Sequence, residues 1–355
     1  MKKYGVIMAG GGGARFWPLS RKVSPKQILN LSGKDVMINE TINRINPIIP
    51  YSQTIIVTNK LQEKIIKEVI VKDLSHKNIL LEPIGRNTAP CIGYAAMLLR
   101  KRVKDAVMCV FPSDHYIKKE DEFLKILDKA IKLAEKTDSL ITIGIKPTFP
   151  CTGYGYIHMG SEKEKNVYEV KEFVEKPNLQ KAEEYLASGN YLWNSGMFIW
   201  KVSTILDNIK RFLPKLYDSL LELERYIDTE EEPQMLELIY PKLQSISIDY
   251  GIMERSDNVL VIPGDFSWND VGSWDSLGSI YEADENDNII IGESINIDTT
   301  NTLIYSKDHL IASIGLDNLI IVHTPDATLV CSKDRAQEVK KIVDELEKRN
   351  KNELL

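Results

Sequence analysis

The 355-residue sequence predicts an α/β protein, with a doubly wound sheet in its main domain and a small β-rich piece at its C-terminal end. Three observations lead to this fold class. Short β-rich runs alternate with segments of helical periodicity through the first half, the pattern becomes mixed after Pro150, and Ile-rich runs recur from about Asn286. Hydrophobic residues make up 43% of the chain, enough for one large core plus a smaller appendage.

The first half is predicted to form βα crossovers. The predicted strands are Tyr4–Ala9, Thr54–Thr58, Asn78–Glu82, Ala106–Phe111 and Leu140–Ile145. The predicted helices are Val36–Ile45, Leu61–Lys72, Ala89–Arg102 and Glu122–Glu135. Such units form a parallel sheet with helices on both faces, in a Rossmann-like layout. Ligands bind beyond the carboxyl ends of these strands, so the residues there are the first candidates for a site.

The rest of the chain is predicted to hold a lid-like substrate half and a small tail. Mixed elements follow Pro150: strands Tyr154–Met159, Val167–Phe173 and Tyr191–Trp200, and helices Leu179–Ala187 and from Ser203 onward. The tail is expected to be a β-helix-like or β-roll piece that ends in the charged helix Lys333–Lys348. We therefore predict two domains, residues 1–280 and residues 281–355.

Charge and composition exclude several function classes. The net charge of −6 argues against a surface built for nucleic acid, so an anionic ligand must be held by local cations. No apolar run approaches the ~20 residues that cross a bilayer, and the residues after Met1 predict a short strand and not the apolar region of a signal peptide. The four cysteines lie far apart without a Cys-x-x-Cys pair, which is typical of buried thiols. We expect a cytoplasmic protein with no nucleic-acid or membrane partner.

A glycine-rich loop after the first strand is the strongest candidate for a phosphate site. Gly10, Gly11, Gly12 and Gly13 let the backbone approach a ligand closely and turn N–H groups toward an anion. Arg15 offers a planar fork to phosphate oxygens and Lys26 a compact charge. The loop has neither the Gly-Lys-Ser/Thr ending of a Walker A loop nor the third glycine of a dinucleotide fingerprint. The alternative is a tight turn with two solvated cations.

Two further groups of candidates follow later strands. Glu82, Gly85, Arg86 and Asn87 come after the third strand, where Asn87 or Thr88 could instead simply cap the next helix. Asp114 follows the fourth strand, and Asp270 lies in a later Trp-Asn-Asp segment. Mg²⁺ takes one or two carboxylates plus phosphate oxygens, so this pair would suffice. A lone Asp after a strand is also a common turn residue.

The second half carries groups suited to a sugar phosphate. Gly153, Glu175, Lys176 and Asn194 lie in short segments that combine polar, glycine, proline and aromatic residues. A carboxylate and an amide can pair with sugar hydroxyls, and an ammonium group with the sugar phosphate. The alternative for Glu175 and Lys176 is a surface charge pair. His115, next to Asp114, could serve as a general base, but a site built around phosphate groups needs little proton chemistry, so we leave it out of the catalytic candidates.

Several of these motifs resemble one enzyme family. Gly-Gly-x-Gly-x-Arg-x-x-Pro-Leu-Ser followed by Pro-Lys is similar to the nucleotide-sugar pyrophosphorylases, and the segment from Glu82 to Pro90 resembles the Glu-Pro-x-x-Arg-Asn-Thr-Ala-Pro of the mannose-1-phosphate guanylyltransferases. The chain has Ala14 where those relatives usually carry Ser or Thr.

The resemblance implies a nucleotidyltransferase of GT-A-like fold that joins GTP to mannose 1-phosphate, with Mg²⁺, and that forms a homodimer. Arg15 and Lys26 would grip the triphosphate, while Glu82, Gly85, Arg86 and Asn87 would contact guanine and ribose. Asp114 and Asp270 would hold the metal. The alternatives are a related transferase for another sugar phosphate and a regulator that binds nucleotide sugars without turnover.

Overall fold

A nine-stranded sheet forms the centre of the protein in a computed structural model, which describes residues 1–355. The strands are β1 (Lys3–Met8), β2 (Thr54–Asn59), β3 (Ile79–Glu82), β4 (Val107–Pro112), β5 (Tyr116–Ile117), β6 (Leu140–Ile145), β7 (Tyr156–Glu164), β8 (Val167–Val174), β9 (Tyr191–Lys201), β10 (Val259–Gly264), β11 (Trp268–Asn269), β12 (Ile289–Ile297), β13 (Leu303–Ile314), β14 (Leu319–Thr324) and β15 (Ala327–Ser332). The helices are α1 (Met37–Ile45), α2 (Glu63–Val69), α3 (Thr88–Val103), α4 (Glu120–Lys136), α5 (Leu179–Ser188), α6 (Val202–Phe212), α7 (Pro214–Glu224), α8 (Glu232–Ile239) and α9 (Val339–Lys348).

The order of the large sheet is β3-β2-β1-β4-β9-β6-β10-β8-β7. Strands β1 to β4 are parallel, as the alternation of strand and helix predicts, and β6 is parallel to β10. Strand β9 lies antiparallel between β4 and β6, so the second half extends the central sheet. Local sequence patterns do not reveal this insertion, because partner choice depends on residues distant in the chain. The predicted mixed α/β fold is confirmed.

Helices cover both faces of the central sheet. Helix α3 packs against α6 and α7, and every residue from Ala89 to Leu99 is buried. A helix that is apolar on all sides is stable only when it is surrounded, and here the sheet and the two helices surround it. Helices α1 and α4 belong to the opposite core. None of the helices is long and apolar enough to span a bilayer.

The C-terminal piece is a four-stranded sheet, in which β12, β13 and β14 are parallel and β15 is antiparallel. Ile289, Leu303 and Ile320 are paired in register and buried, so successive rungs stack their apolar side chains into one core. The predicted β-rich piece is confirmed. The final α-helix is shorter than predicted, because Lys333–Glu338 forms a 3₁₀ turn before α9.

This C-terminal core also contains Phe16 and Trp17, which follow the glycine loop. The indole Nε1 of Trp17 donates a hydrogen bond to the carbonyl oxygen of Leu354 at 2.9 Å. The guanidinium of Arg21 forms an ion pair with Asp326 at 2.9 Å. The tail is therefore packed directly against the segment that carries the candidate phosphate loop.

Candidate active site

The carboxyl ends of the central strands open into a cavity of about 520 Å³. Twelve of the predicted site residues line it: Gly10, Gly11, Glu82, Gly85, Arg86, Asn87, Asp114, Gly153, Glu175, Lys176, Asn194 and Asp270. Arg15 lines an adjoining cavity of about 880 Å³, which shares Gly153, Tyr154, Lys176 and Asp270 with the first. Gly12, Gly13 and Lys26 line neither cavity. The structure thus brings together members of all four groups of candidates, which are far apart in the sequence.

The amide groups of the glycine loop are free of protein partners. None of the N–H groups from Gly10 to Gly13 donates a hydrogen bond to a protein acceptor. Two buried glutamines hold its carbonyl groups instead: Gln27 Nε2 donates to the oxygens of Ala9 (2.9 Å) and Gly11 (3.1 Å), and Gln62 Nε2 donates to that of Gly11 (3.1 Å). Free N–H groups of successive residues form an anion-binding concavity. Sequence reasoning did not identify these glutamines, because nothing in their local pattern distinguishes them.

Gly13 allows Lys26 to approach the loop. Its φ of 62° is in the left-handed region, and a Cβ atom there would lie 2.5 Å from the Cβ of Lys26 and 2.7 Å from its backbone nitrogen. Neither distance is tolerated, since the obstructing atoms belong to the backbone or the base of a buried side chain. Glycine is therefore required at this position for steric and conformational reasons.

Gly13→Ala is expected to lower the free energy of unfolding by about 2 kcal/mol or more, because left-handed backbone strain adds to the steric overlap. Gly12→Ala is the matched control, since an added Cβ there meets no atom within 4 Å. Urea unfolding of both variants measures the difference. Equal midpoints for the two variants would contradict the proposed role of Gly13.

Lys26 connects the carboxylate of Asp114 to the backbone of Asp270. Its ammonium group lies 2.9 Å from Asp114 Oδ2 and donates to the backbone oxygen of Asp270 at 2.6 Å. The hydroxyl of Tyr154 donates to Asp270 Oδ1 at 2.7 Å. Burial raises the pKa of Asp114, but the adjacent Lys26 charge and hydrogen bond bring it, on balance, below its usual value. Asp114 is thus an anion at neutral pH.

This donor set fits a magnesium ion that keeps water and phosphate ligands. Asp114 and Asp270 line the same cavity, and no group of three or more His, Cys, Asp or Glu residues that could hold a metal ion occurs at this site or elsewhere. Mg²⁺ is commonly bound by one or two carboxylates together with substrate phosphates. The neighbouring His115 has its pKa lowered to about 4 by burial, and its Nδ1 accepts a hydrogen bond from Trp268 at 3.1 Å. It is a neutral imidazole at pH 7.

One side of the cavity is formed by residues after β3. Glu82 is 5% exposed, and burial raises its pKa to about 7, although the hydrogen bond from the Tyr240 hydroxyl acts in the opposite direction. Asn87 caps α3 by accepting a hydrogen bond from the N–H of Thr88 at 2.8 Å. Arg86 donates from Nη2 to the Pro241 oxygen, while its buried Nε has no partner. Glu82 and Arg86, which both line the cavity, thus retain unused hydrogen-bonding capacity.

The opposite side combines acids, an amide and a lysine. Lys176 has a φ of 42°, and its ammonium group lies 3.1 Å from Glu175 Oε1. The structure therefore contains the local Glu175–Lys176 charge pair that the sequence analysis gave as the alternative. Asn194 Nδ2 donates to Asp249 Oδ1 at 2.8 Å. Burial, followed by the charge of Glu175, raises the pKa of Asp249 to about 6. A Cβ at Gly155 would lie 2.8 Å from Glu175 Oε2, so glycine leaves room for that carboxylate.

Known proteins match both parts of this chain. The nucleotidyl transferase family matches residues 4–288, and the MannoseP isomerase/GMP-like beta-helix domain matches residues 292–346. The chain is 40% identical to a mannose-1-phosphate guanylyltransferase of Salmonella montevideo, over 98% of this chain and 74% of the relative. It is 37% identical to that of Escherichia coli (strain K12), over 99% of this chain and 75% of the relative.

The fold has a counterpart among solved structures. A crystal structure from Thermus thermophilus, described as a mannose-1-phosphate geranyltransferase, matches with a TM-score of 0.89 and 33% identity. The match covers 98% of this chain and all of that one, including the tail. The chain is therefore a nucleotidyltransferase and belongs to the mannose-1-phosphate guanylyltransferase family.

Proposed function

We propose that this enzyme transfers GMP from GTP to α-D-mannose 1-phosphate, which yields GDP-mannose and pyrophosphate. The main observation is one cavity lined by the start of the glycine loop (Gly10 and Gly11), by Asp114 and Asp270, by the buried Glu82 and by the polar group around Asn194. A nucleoside triphosphate and a sugar phosphate can lie in it end to end, with the α-phosphorus between them.

The reaction is an in-line displacement. An oxygen of the sugar phosphate forms a bond to the α-phosphorus, the bond from that phosphorus to the bridging oxygen of the β-phosphate breaks, and the electron pair leaves with pyrophosphate. No covalent enzyme intermediate is needed. Most of the rate would come from holding two anions in line and compensating their charge.

The chain's own residues would divide this task. The free N–H groups of the glycine loop would bind the β- and γ-phosphates, and Arg15 would reach the leaving pyrophosphate from the adjoining cavity. Lys26, buried below the loop, would orient Asp114 and supply positive charge. Mg²⁺ held by Asp114 and Asp270 would neutralise phosphate charge.

Glu82 is proposed to select guanine. Guanine presents N1–H and an exocyclic amino group side by side, and an ionised carboxylate can accept both hydrogen bonds. Adenine lacks that pair of donors, so a buried carboxylate would be left unpaired opposite it. Gly85, Arg86 and Asn87, on the same wall, would contact the ribose and the rest of the base.

The sugar would lie against the opposite wall. Glu175 and Asn194 would form hydrogen bonds with the sugar hydroxyls, and Lys176 would bind the sugar phosphate. Gly153 would line the part of the cavity that holds the sugar. This requires the Lys176 ammonium to leave Glu175, which is feasible because the lysine side chain is 62% exposed. Asp249 would hold the Asn194 amide in place.

The KM for GTP is expected to rise as the pH falls below about 7. Glu82 has a pKa of about 7, so lowering the pH protonates it and removes the carboxylate that guanine requires. The rise should approach tenfold per pH unit below that value if the ionised form alone binds. Steady-state kinetics of the wild type and Glu82→Gln from pH 6 to 8.5 test this, since the variant should have a weak and pH-independent affinity.

A substrate panel tests the function as a whole. Pyrophosphate release would be measured with GTP, ATP, UTP or dTTP, each paired with mannose 1-phosphate or glucose 1-phosphate. GTP with mannose 1-phosphate should have the highest kcat/KM. A faster rate with another pair would reassign the substrate, and tight GTP binding without product in the presence of Mg²⁺ would favour a non-catalytic regulator.

We also propose the division at residues 280 and 281, a homodimer and a cytoplasmic location. The separate four-stranded sheet supports the division. Ile295, Ile297 and Ile314, which are at least half exposed on β12 and β13, would supply an apolar face for a second copy of the chain. Sedimentation of the full chain tests the homodimer.

A further inference from the structure

Gln337 of the C-terminal piece reaches the candidate active site. It lies on the 3₁₀ turn Lys333–Glu338 and lines the cavity that contains Arg15. Its Oε1 accepts a hydrogen bond from Arg15 Nη1 at 2.7 Å, and its Nε2 donates to Ser273 Oγ at 2.6 Å. One amide therefore connects the glycine loop, the segment after Asp270 and the tail.

The geometry leaves Arg15 available for a phosphate. A guanidinium group has five N–H donors, and the bond to Gln337 is the one protein hydrogen bond that the Arg15 side chain makes. The acceptor is a neutral amide, so the positive charge of Arg15 is not cancelled.

The surrounding core fixes the amide. Ala336 and Val339, on either side of Gln337, are buried in the same core as Phe16, which directly follows Arg15. The turn and the loop are thus fixed relative to each other, and an otherwise exposed long side chain is restrained by a defined partner. Restraint of this kind reduces the entropy lost when Arg15 binds phosphate.

We propose that Gln337 is a positioning residue, through which the C-terminal piece orients the Arg15 guanidinium toward the triphosphate and the leaving pyrophosphate. This inference rests on the proposed function, in which Arg15 binds those phosphates. It gives the tail a specific part in the transfer reaction that is separate from any role in subunit contact.

The test is a double-mutant cycle of Arg15→Ala and Gln337→Ala, with kinetics in both directions. Gln337→Ala should raise the KM for GTP and for pyrophosphate by about 5- to 10-fold, since one oriented hydrogen bond to a charged group is lost. The KM for mannose 1-phosphate should not change. In the Arg15→Ala background, Gln337→Ala should have no further effect.

Gln337→Glu and Arg335→Gln complete the design. A carboxylate at position 337 would pair with Arg15 and compete with phosphate, so Gln337→Glu should raise both KM values at least as much as Gln337→Ala. Arg335 lies on the same turn and pairs with Glu338, so Arg335→Gln should behave as wild type. Thermal unfolding identifies any variant that is simply destabilised.

The outcomes separate the two proposals. If Arg15→Ala leaves the KM for pyrophosphate unchanged, the phosphate role of Arg15 in the proposed function fails. Two results would overturn the positioning role of Gln337 if Arg15→Ala does raise that KM. One is that Gln337→Ala leaves the KM for GTP and for pyrophosphate unchanged. The other is that Gln337→Ala raises them by the same factor in the Arg15→Ala background as in the wild type.

Discussion

Asp270→Asn should lower kcat by about 100- to 1,000-fold, because it removes one of the two negative charges that would hold the metal. The substitution keeps the size of the side chain. It also keeps the backbone oxygen that accepts the Lys26 hydrogen bond, and an amide oxygen can still accept from Tyr154. The loss should therefore lie in catalysis and in the Mg²⁺ requirement, with little change in stability.

Pyrophosphate release measured against Mg²⁺ concentration tests this expectation. The curve for Asp270→Asn should shift to higher Mg²⁺ and reach a much lower plateau. Asp265→Asn is the matched control, since that carboxylate is 90% exposed and only 3.9 Å from Lys119 in a loose surface pair. Retention of wild-type kcat and Mg²⁺ dependence in Asp270→Asn would refute the metal assignment.

Lys26→Met should reduce kcat/KM by a comparable factor and should also destabilise the protein. Methionine fills much of the same volume but leaves Asp114 without its cation. Burial is the largest influence on that carboxyl group, so its pKa should then rise above its ordinary value. Ionised Asp114 would be poorly compensated in the folded variant.

The sign of the pH effect follows from this shift. In the wild type the pKa of folded Asp114 is lowered, so its contribution to stability is present above the unfolded pKa and is lost as the pH falls through the folded value. In Lys26→Met the pKa of folded Asp114 is expected to be raised, so ionised Asp114 would destabilise the folded protein at a pH above that value. The stability deficit should be largest near pH 7 and should shrink toward pH 4.

Urea unfolding of wild type and Lys26→Met at pH 7.5 and pH 4.5 measures this difference, alongside pyrophosphate release. Lys125→Met is a suitable control, because Lys125 is 70% exposed and pairs only with Glu122 on the same helix. A deficit that is equal at both pH values would show that lost packing, and not the unpaired Asp114, causes the destabilisation.

The sequence predicted those parts of the fold that depend on local patterns. Periodicity identified β1 to β4 and β6, and the rule that ligands bind at strand ends directed attention to Asp114 and Glu82. It did not place β9 between β4 and β6, since pairing over such distances leaves no local trace. The predicted lid-like half therefore supplies strands to the central sheet.

The site shows the same division between local and distant effects. Residue types and family motifs indicated the candidates, but only the fold shows that Lys26 joins Asp114 to Asp270 or that Arg15 contacts Gln337, 322 positions later. Burial raises the pKa of Glu82, and the hydrogen bond from Tyr240, which is 158 positions away, lowers it in part. Partners at such separations are set by the fold.

The core that Phe16 and Trp17 share with the C-terminal rungs has a consequence for how the enzyme loses activity. If the tail comes loose, these two aromatic side chains lose their apolar surroundings and the loop between them and β1 loses its support. Heat or denaturant acting first on the outer rungs would thus inactivate an otherwise folded catalytic sheet. Loss of turnover would then indicate that the C-terminal piece has unfolded, although this piece is far along the chain from the glycine loop.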